Sequence, residues 1–154
     1  MPDYIIVKTD EEYKAAAQLF KEYAAWLNID LGFQHFDDEL KDLKTMYNTN
    51  DGGIILYKEN NEFIACVALR RNAVNIGELK RMFVQTTQQH KGIGKKLLEE
   101  AIALAQNCQY EFIRLDTLNH MIPAINLYKK YGFYEIPAYY HNPVATAVYF
   151  EKKL

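Results

Sequence analysis

The sequence predicts an α/β domain spanning residues 1–154, with a mixed, mostly antiparallel central sheet that contains one parallel βαβ unit. Three observations predict it. Apolar runs of strand length are interleaved with longer runs at helical spacing. Over residues 76–117 a β-type run, a helix-spaced run and a second β-type run follow directly on one another, which makes the two strands parallel neighbours joined by a right-handed crossover. No repeat, low-complexity tract or linker rich in Pro, Gly or Ser divides the chain. At 154 residues, 49% of them apolar, it is long enough to bury one core.

Residues 4–8 read as a short strand, after which Thr9 and Glu12 supply a capping box for a helix running through Phe20, Tyr23, Ala24, Leu27 and Leu31 and stopping near Gly32. Residues 36–46 read as a second, acidic helix. Its Asp37, Asp38 and Glu39 suit the positive end of a helix dipole, or alternatively attract a cationic ligand. Gly52 and Gly53 lead into a strand over 54–58, a tight turn at Asn60 and Asn61, and a partner strand over 63–70. Residues 76–84 form the next strand, and 92–106 carry helical spacing through Ile93, Leu97, Leu98, Ala101, Ile102 and Ala105. A strand over 112–117 follows. Pro123 fits the first turn of a short helix ending at 130–131, and Gly132 fits its C-terminal cap. Strands over 133–136 and 145–151 complete the sheet.

Eighteen basic residues against twenty acidic ones create no global field for nucleic acid, so a polyanion would have to bind at a local site. Residues 1–8 carry no basic leader, and no stretch reaches the roughly 18 apolar residues of a membrane span, so the expectation is a cytoplasmic protein without membrane contact. Cys66 and Cys108 are far apart and lack ligand spacing, which reads as two buried, reduced thiols rather than a nucleophile. His35, His90, His120 and His141 show no metal spacing, and no metal is expected.

The most informative stretch is residues 86–98, where two glycines, Gly92 and Gly94, stand at the junction of a strand and a helix. Helix N-termini expose backbone N–H groups and a partial positive charge, and glycines there keep Cβ atoms out of an anion's path. A loose turn would need the same residues. The P-loop pattern fails because Gln89 stands where its first glycine belongs and Lys96 where its Ser or Thr belongs. A dinucleotide fingerprint fails at Leu97.

The order Gln89-x-x-Gly92-x-Gly94, after a strand and before an amphipathic helix, resembles the pyrophosphate-binding loop of the GCN5-related N-acetyltransferase (GNAT) family. Residues 78–84, 115–118 and 124–133 extend that resemblance along the chain, and residues 23–34 and 139–143 look like one bacterial branch of the family. The resemblance implies an acyl-CoA N-acyltransferase fold, acetyl-CoA as co-substrate, and direct transfer of the acetyl group to a primary amine of a small molecule or peptide. A non-catalytic acyl-CoA-binding regulatory domain is the alternative, and a homodimer is left open.

It also implies roles. The loop residues Gln89, Gly92 and Gly94 would hold the diphosphate, with Lys91 and Lys95 adding charge. The Met82 N–H would face the thioester oxygen, and Val84 would continue the contact to pantetheine. Glu78, fourteen positions before Gly92, would be the base that collects the amine proton, or else a strand carboxylate paired with Lys80 or Arg81. Tyr128 occupies the place of the family's general-acid tyrosine, and is otherwise a core residue. Met121 stands where many members carry asparagine. For the acceptor, Trp26, Asp30, Phe33, Gln34 and Phe36 flank the cleft on one side and Tyr139, Tyr140, His141 and Asn142 on the other. Packing is the competing role for Trp26, Phe33 and Phe36, and plain solvation for His141.

Overall fold

The computed structural model describes residues 3–154. Strand β1, Asp3–Ile6, precedes helix α1, Asp10–Leu27. The capping box forms as expected: the Thr9 hydroxyl accepts from the Glu12 N–H at 3.2 Å, and the Glu12 carboxylate accepts from the Thr9 N–H at 3.0 Å. The helix ends at Asn28, which adopts the left-handed conformation, rather than near Gly32. Leu31 instead belongs to a 3₁₀ turn, Leu31–Gln34, capped by Asp30, whose carboxylate accepts from the Gly32 N–H at 2.8 Å. The expected acidic helix is two pieces, α2 (Phe36–Lys41) and α3 (Leu43–Met46), because Asp42 leaves helical geometry at φ −143°.

Strands β2 (Gly53–Glu59) and β3 (Glu62–Ala73) form the hairpin, turning at Asn60 and Asn61, both at positive φ, as a tight hairpin turn requires. Strand β4, Ile76–Val84, leads to α4, Ile93–Asn107, and β5, Phe112–Leu118. Helix α5 is Ile122–Lys130, with Pro123 in its first turn and Gly132 at φ +91° beyond its end. Strands β6 (Tyr134–Ile136) and β7 (Ala147–Lys153) follow. β7 starts two residues later than expected, because the Asn142 side chain accepts from the Val144 N–H and Ala147 turns back onto the Val144 carbonyl.

The seven strands form one sheet in the order β1-β2-β3-β4-β5-β7-β6. Every pair is antiparallel except β4–β5. One core, holding Leu97, Leu98, Ala101, Ile125 and Phe150, lies between the sheet and α4 and α5. A second, holding Phe20, Tyr47, Leu56 and Phe83, lies between the opposite face and α1 to α3.

Two irregularities of β4 position the site. Its parallel ladder with β5 joins only Ile76 to Phe112, Gly77 to Ile113 and Glu78 to Arg114, so the strands diverge beyond that point. On its other edge a bulge sets Arg81, at φ +60°, and Met82 together opposite Val67. In consequence Lys80 and Arg81, though consecutive, both face away from α4. Arg81 reaches α2, where its guanidinium donates to both oxygens of Glu39 at 2.7 and 3.0 Å, and Tyr47 donates to the same carboxylate at 2.9 Å. The Cys66 thiol donates to the Arg81 carbonyl at 3.1 Å.

Candidate active site

The divergence of β4 and β5 opens a cavity of about 410 Å³, bounded by the end of α1, the 3₁₀ turn, the start of α4, helix α5 and the loop before β7. Gln85 donates to Ile64 of β3. By alternation along the strand, the main-chain groups of Val84 and Met82 therefore face the opposite edge, where β5 has turned away. An extended ligand laid in that seam meets ladder groups that β5 leaves open, the Val84 carbonyl excepted, as an added strand would.

At the wide end of the seam stands the N-terminus of α4. No side chain caps it, and its first intrahelical bond is Lys96 N–H to the Gly92 carbonyl, so the N–H groups of Ile93, Gly94 and Lys95 are free for an anion. Gly92 is held at φ +82°, which glycine adopts without strain. A Cβ built on it would meet nothing within 4 Å, and one on Gly94 only a Val84 methyl at 3.9 Å. Neither glycine is needed to avoid a clash within the protein. The space that their missing side chains leave lies in front of the open donors, and it fits a diphosphate.

Among the sequence-predicted residues, Trp26, Phe33, Gln34, Met82, Val84, Gln89, Gly92, Gly94, Lys95, Tyr128 and Asn142 line the cavity. Gln89 braces the loop by donating to the Val84 carbonyl at 2.9 Å. Lys91 lies outside the lining, exposed, with its ammonium on Gln88 at 2.9 Å. Asp30 is occupied as a cap, and His141 is exposed. Phe36 packs under the Arg81 guanidinium instead of entering the cleft. Met121 also reaches the lining.

Tyr128 is buried among Phe133 and Phe150, yet its hydroxyl has no hydrogen-bond partner among the described residues and borders the cavity. Burial pushes its pKa well up, so the phenol holds its proton and can donate it. Glu78 is also buried, but its two oxygens are taken: Arg70 donates to one at 3.0 Å and the Tyr139 hydroxyl to the other at 2.7 Å. Its ion-pair partner is Arg70 on the neighbouring strand, not Lys80 or Arg81. Its carboxylate does not border the cavity.

Besides Arg81, whose guanidinium is held by Glu39, two charged residues that the sequence reading did not single out border it. Asp116 of β5 accepts from the Tyr140 hydroxyl at 2.7 Å, while its other oxygen accepts from no described residue. Lys80 of β4 donates to the Gln34 side-chain oxygen at 3.1 Å. Tyr140 does not itself line the cavity. It also accepts from Gln34 at 3.0 Å and from Asn142 at 3.1 Å, so that one polar chain runs Lys80, Gln34, Tyr140, Asp116. Burial, and then the charge of Asp116, push the Tyr140 pKa well up and keep it a donor. The sequence signal for both residues was a charge inside an otherwise apolar strand, which becomes meaningful only once the strand register is known.

Among the described residues no three His, Cys, Asp or Glu side chains form a metal-holding group, and no helix is long and apolar enough to cross a membrane.

A model of the acetyltransferase (GNAT) family matches residues 10–133. The chain is 32% identical over 145 residues to an uncharacterized N-acetyltransferase of Schizosaccharomyces pombe, the match covering 93% of this chain and 89% of that one. Its fold superposes on a GNAT-family acetyltransferase from Staphylococcus aureus with a TM-score of 0.81 at 21% identity, over 99% of each chain. A GNAT-family acetyltransferase from Elizabethkingia anophelis, solved with acetyl-CoA bound, gives a TM-score of 0.59 at 30% identity over 74% of this chain and 83% of that one.

Proposed function

Because the chain belongs to the GNAT acetyltransferase family, we propose that it is an acetyl-CoA-dependent N-acetyltransferase acting directly on a primary amine of a small molecule. The observation that carries the reading is the junction of an uncapped, side-chain-free α4 N-terminus with the open β4–β5 seam in one cavity.

Acetyl-CoA, when bound, supplies the activated acetyl group: a C–N bond to the acceptor forms as the C–S bond to coenzyme A breaks. The α4 N–H groups bind the diphosphate, with Lys95 adding charge at the same turn. The Met82 N–H, held by the bulge and facing the seam, donates to the thioester oxygen as negative charge develops there. Tyr128 gives its phenolic proton to the departing sulfur and is restored by the second proton that the nitrogen sheds as the amide forms. A free alkyl ammonium, with a pKa of about 10.4, must first lose a proton. Asp116 takes that role in this reading, since its free oxygen borders the cavity while Glu78 is sealed by Arg70 and Tyr139. Glu78 instead steadies Tyr139 in the loop that covers β5. Burial pushes both Cys thiols above their ordinary pKa, which keeps them protonated and favours direct transfer over an acyl-enzyme.

Calorimetric titration with acetyl-CoA, followed by a thiol-release assay over a panel of amines, tests the reading. Binding with turnover supports it. Binding without turnover of any amine would favour the regulatory alternative, and absence of binding would remove both.

A further inference from the structure

Two charged side chains in the acceptor half of the cavity have no ion-pair partner among the described residues. Lys80 is 9% exposed, its ammonium donates only to the neutral Gln34 amide, and none of the five ion pairs among the described residues includes it or Asp116. The neighbouring arginines are committed elsewhere: Arg70 to Glu78, Arg81 to Glu39 and Arg114 to Glu151. Register makes Lys80 and Asp116 a pair of subsites. Glu78 faces Arg114 across the last rung of the parallel ladder, and two residues further along each strand come Lys80 and Asp116, on the same sheet face, where the strands have separated. The gap between them is part of the cavity, and Gln34 and Tyr140 bridge it at the rim.

A buried cation with no carboxylate in ion-pair contact is costly even though Glu78, Asp116 and Glu39 act on it at longer range, and an arriving anion lowers that cost. Burial lowers the Lys80 pKa, which an anionic ligand would reverse. A polyamine or other polycation would set a second positive charge against Lys80, and a plain amine would leave Lys80 unneutralised. We infer that the acceptor is a small amino carboxylate whose ammonium meets Asp116 and whose carboxylate meets Lys80. The inference rests on the acetyl transfer proposed above and specifies its acceptor class.

The test is thiol release from acetyl-CoA with the protein amino acids, β-alanine and γ-aminobutyrate, each as free acid and as amide. Amidation lowers the amine pKa and enlarges the free-amine fraction, so it favours the amide on chemistry alone. The expected result is that at least one acid shows a kcat/KM about tenfold or more above its own amide. Lys80→Met should raise the KM for that acid roughly ten- to a hundredfold, as loss of a hydrogen bond to a charged group does. Gln34→Glu, which gives Lys80 a carboxylate of its own, should raise it in the same direction, and carries the test should Lys80→Met not fold. Indifference between acid and amide, preference for amides, or no turnover of any acid overturns the inference. Acetyl-CoA titration of the same samples separates the two levels: no heat removes the transferase reading itself, whereas heat with acid–amide indifference removes only the amino carboxylate.

Discussion

Gly94→Ala separates folding from binding by moving them in opposite directions. Gly94 is the second residue of α4, lies outside the positive-φ region, and would receive a Cβ whose nearest neighbour is a Val84 methyl at 3.9 Å, an ordinary contact. Alanine in a helix is favoured over glycine by about 0.5–1 kcal/mol, which at about 2–4 °C per kcal/mol for a chain of this size raises the unliganded Tm by one to a few degrees. The same methyl stands before the free N–H groups of Ile93, Gly94 and Lys95. Losing one hydrogen bond to a charged phosphate costs about 1.5–3 kcal/mol, and each 1.4 kcal/mol is tenfold in Kd. Acetyl-CoA affinity should therefore fall about ten- to a hundredfold or more. Differential scanning calorimetry supplies the Tm, and isothermal titration supplies Kd for acetyl-CoA and for S-acetylpantetheine, which lacks the diphosphate. Affinity for the latter should hold. A variant that binds acetyl-CoA like the parent would refute the phosphate cradle, and so would equal losses for the two ligands. Gly92→Ala differs in kind: at φ +82° it also costs about 1–2 kcal/mol of backbone strain, so its Tm falls.

Tyr128→Phe should reduce kcat by about 10²- to 10⁴-fold while changing acetyl-CoA Kd less than twofold; unchanged turnover in a pre-steady-state assay removes the acid. The same phenol predicts an alkaline weakness. Its pKa is raised in the fold, so its contribution is complete below the unfolded value of about 10 and is lost above it at up to about 1.4 kcal/mol per pH unit. Thermal melts between pH 9 and 11 should fall less steeply in Tyr128→Phe than in the parent. Glu39→Ala strands the buried Arg81 cation and should cost about 3–5 kcal/mol, on the order of 10 °C in Tm, whereas the pair replacement Glu39→Leu with Arg81→Met should recover most of the loss.

Where a local rule dictated the outcome, the sequence was legible. Thr9 and Glu12 announced the start of α1, Asn60 and Asn61 the hairpin, Ile76–Val84 the strand and Gly92 the joint, because each depends on neighbours a few residues away. Helix ends were less legible. Asn28 and Asp42 stop their helices in competition with apolar spacing that continues past them. The half of the cavity at the α4 N-terminus was readable for the same local reason as the glycine joint. The half lined by Lys80 and Asp116 was not. Lys80 and Asp116 become neighbours only through a parallel register set 36 residues apart, and Glu78 is withdrawn by Arg70 and Tyr139, which arrive from β3 and from the loop before β7.

The bulge at Arg81 bears on how this chain tolerates change in length. One extra residue there inverts the in–out phase of everything that follows in the strand, so that Lys80 faces the cavity, Arg81 anchors α2, and Met82 and Val84 turn back toward the β4–β5 seam. Deleting Arg81 would restore plain alternation, so that Met82, Phe83 and Val84 keep their faces and the loss is the Glu39 anchor of α2. A one-residue deletion at the exposed Asn60–Asn61 tip would shorten a loop and leave that anchor in place.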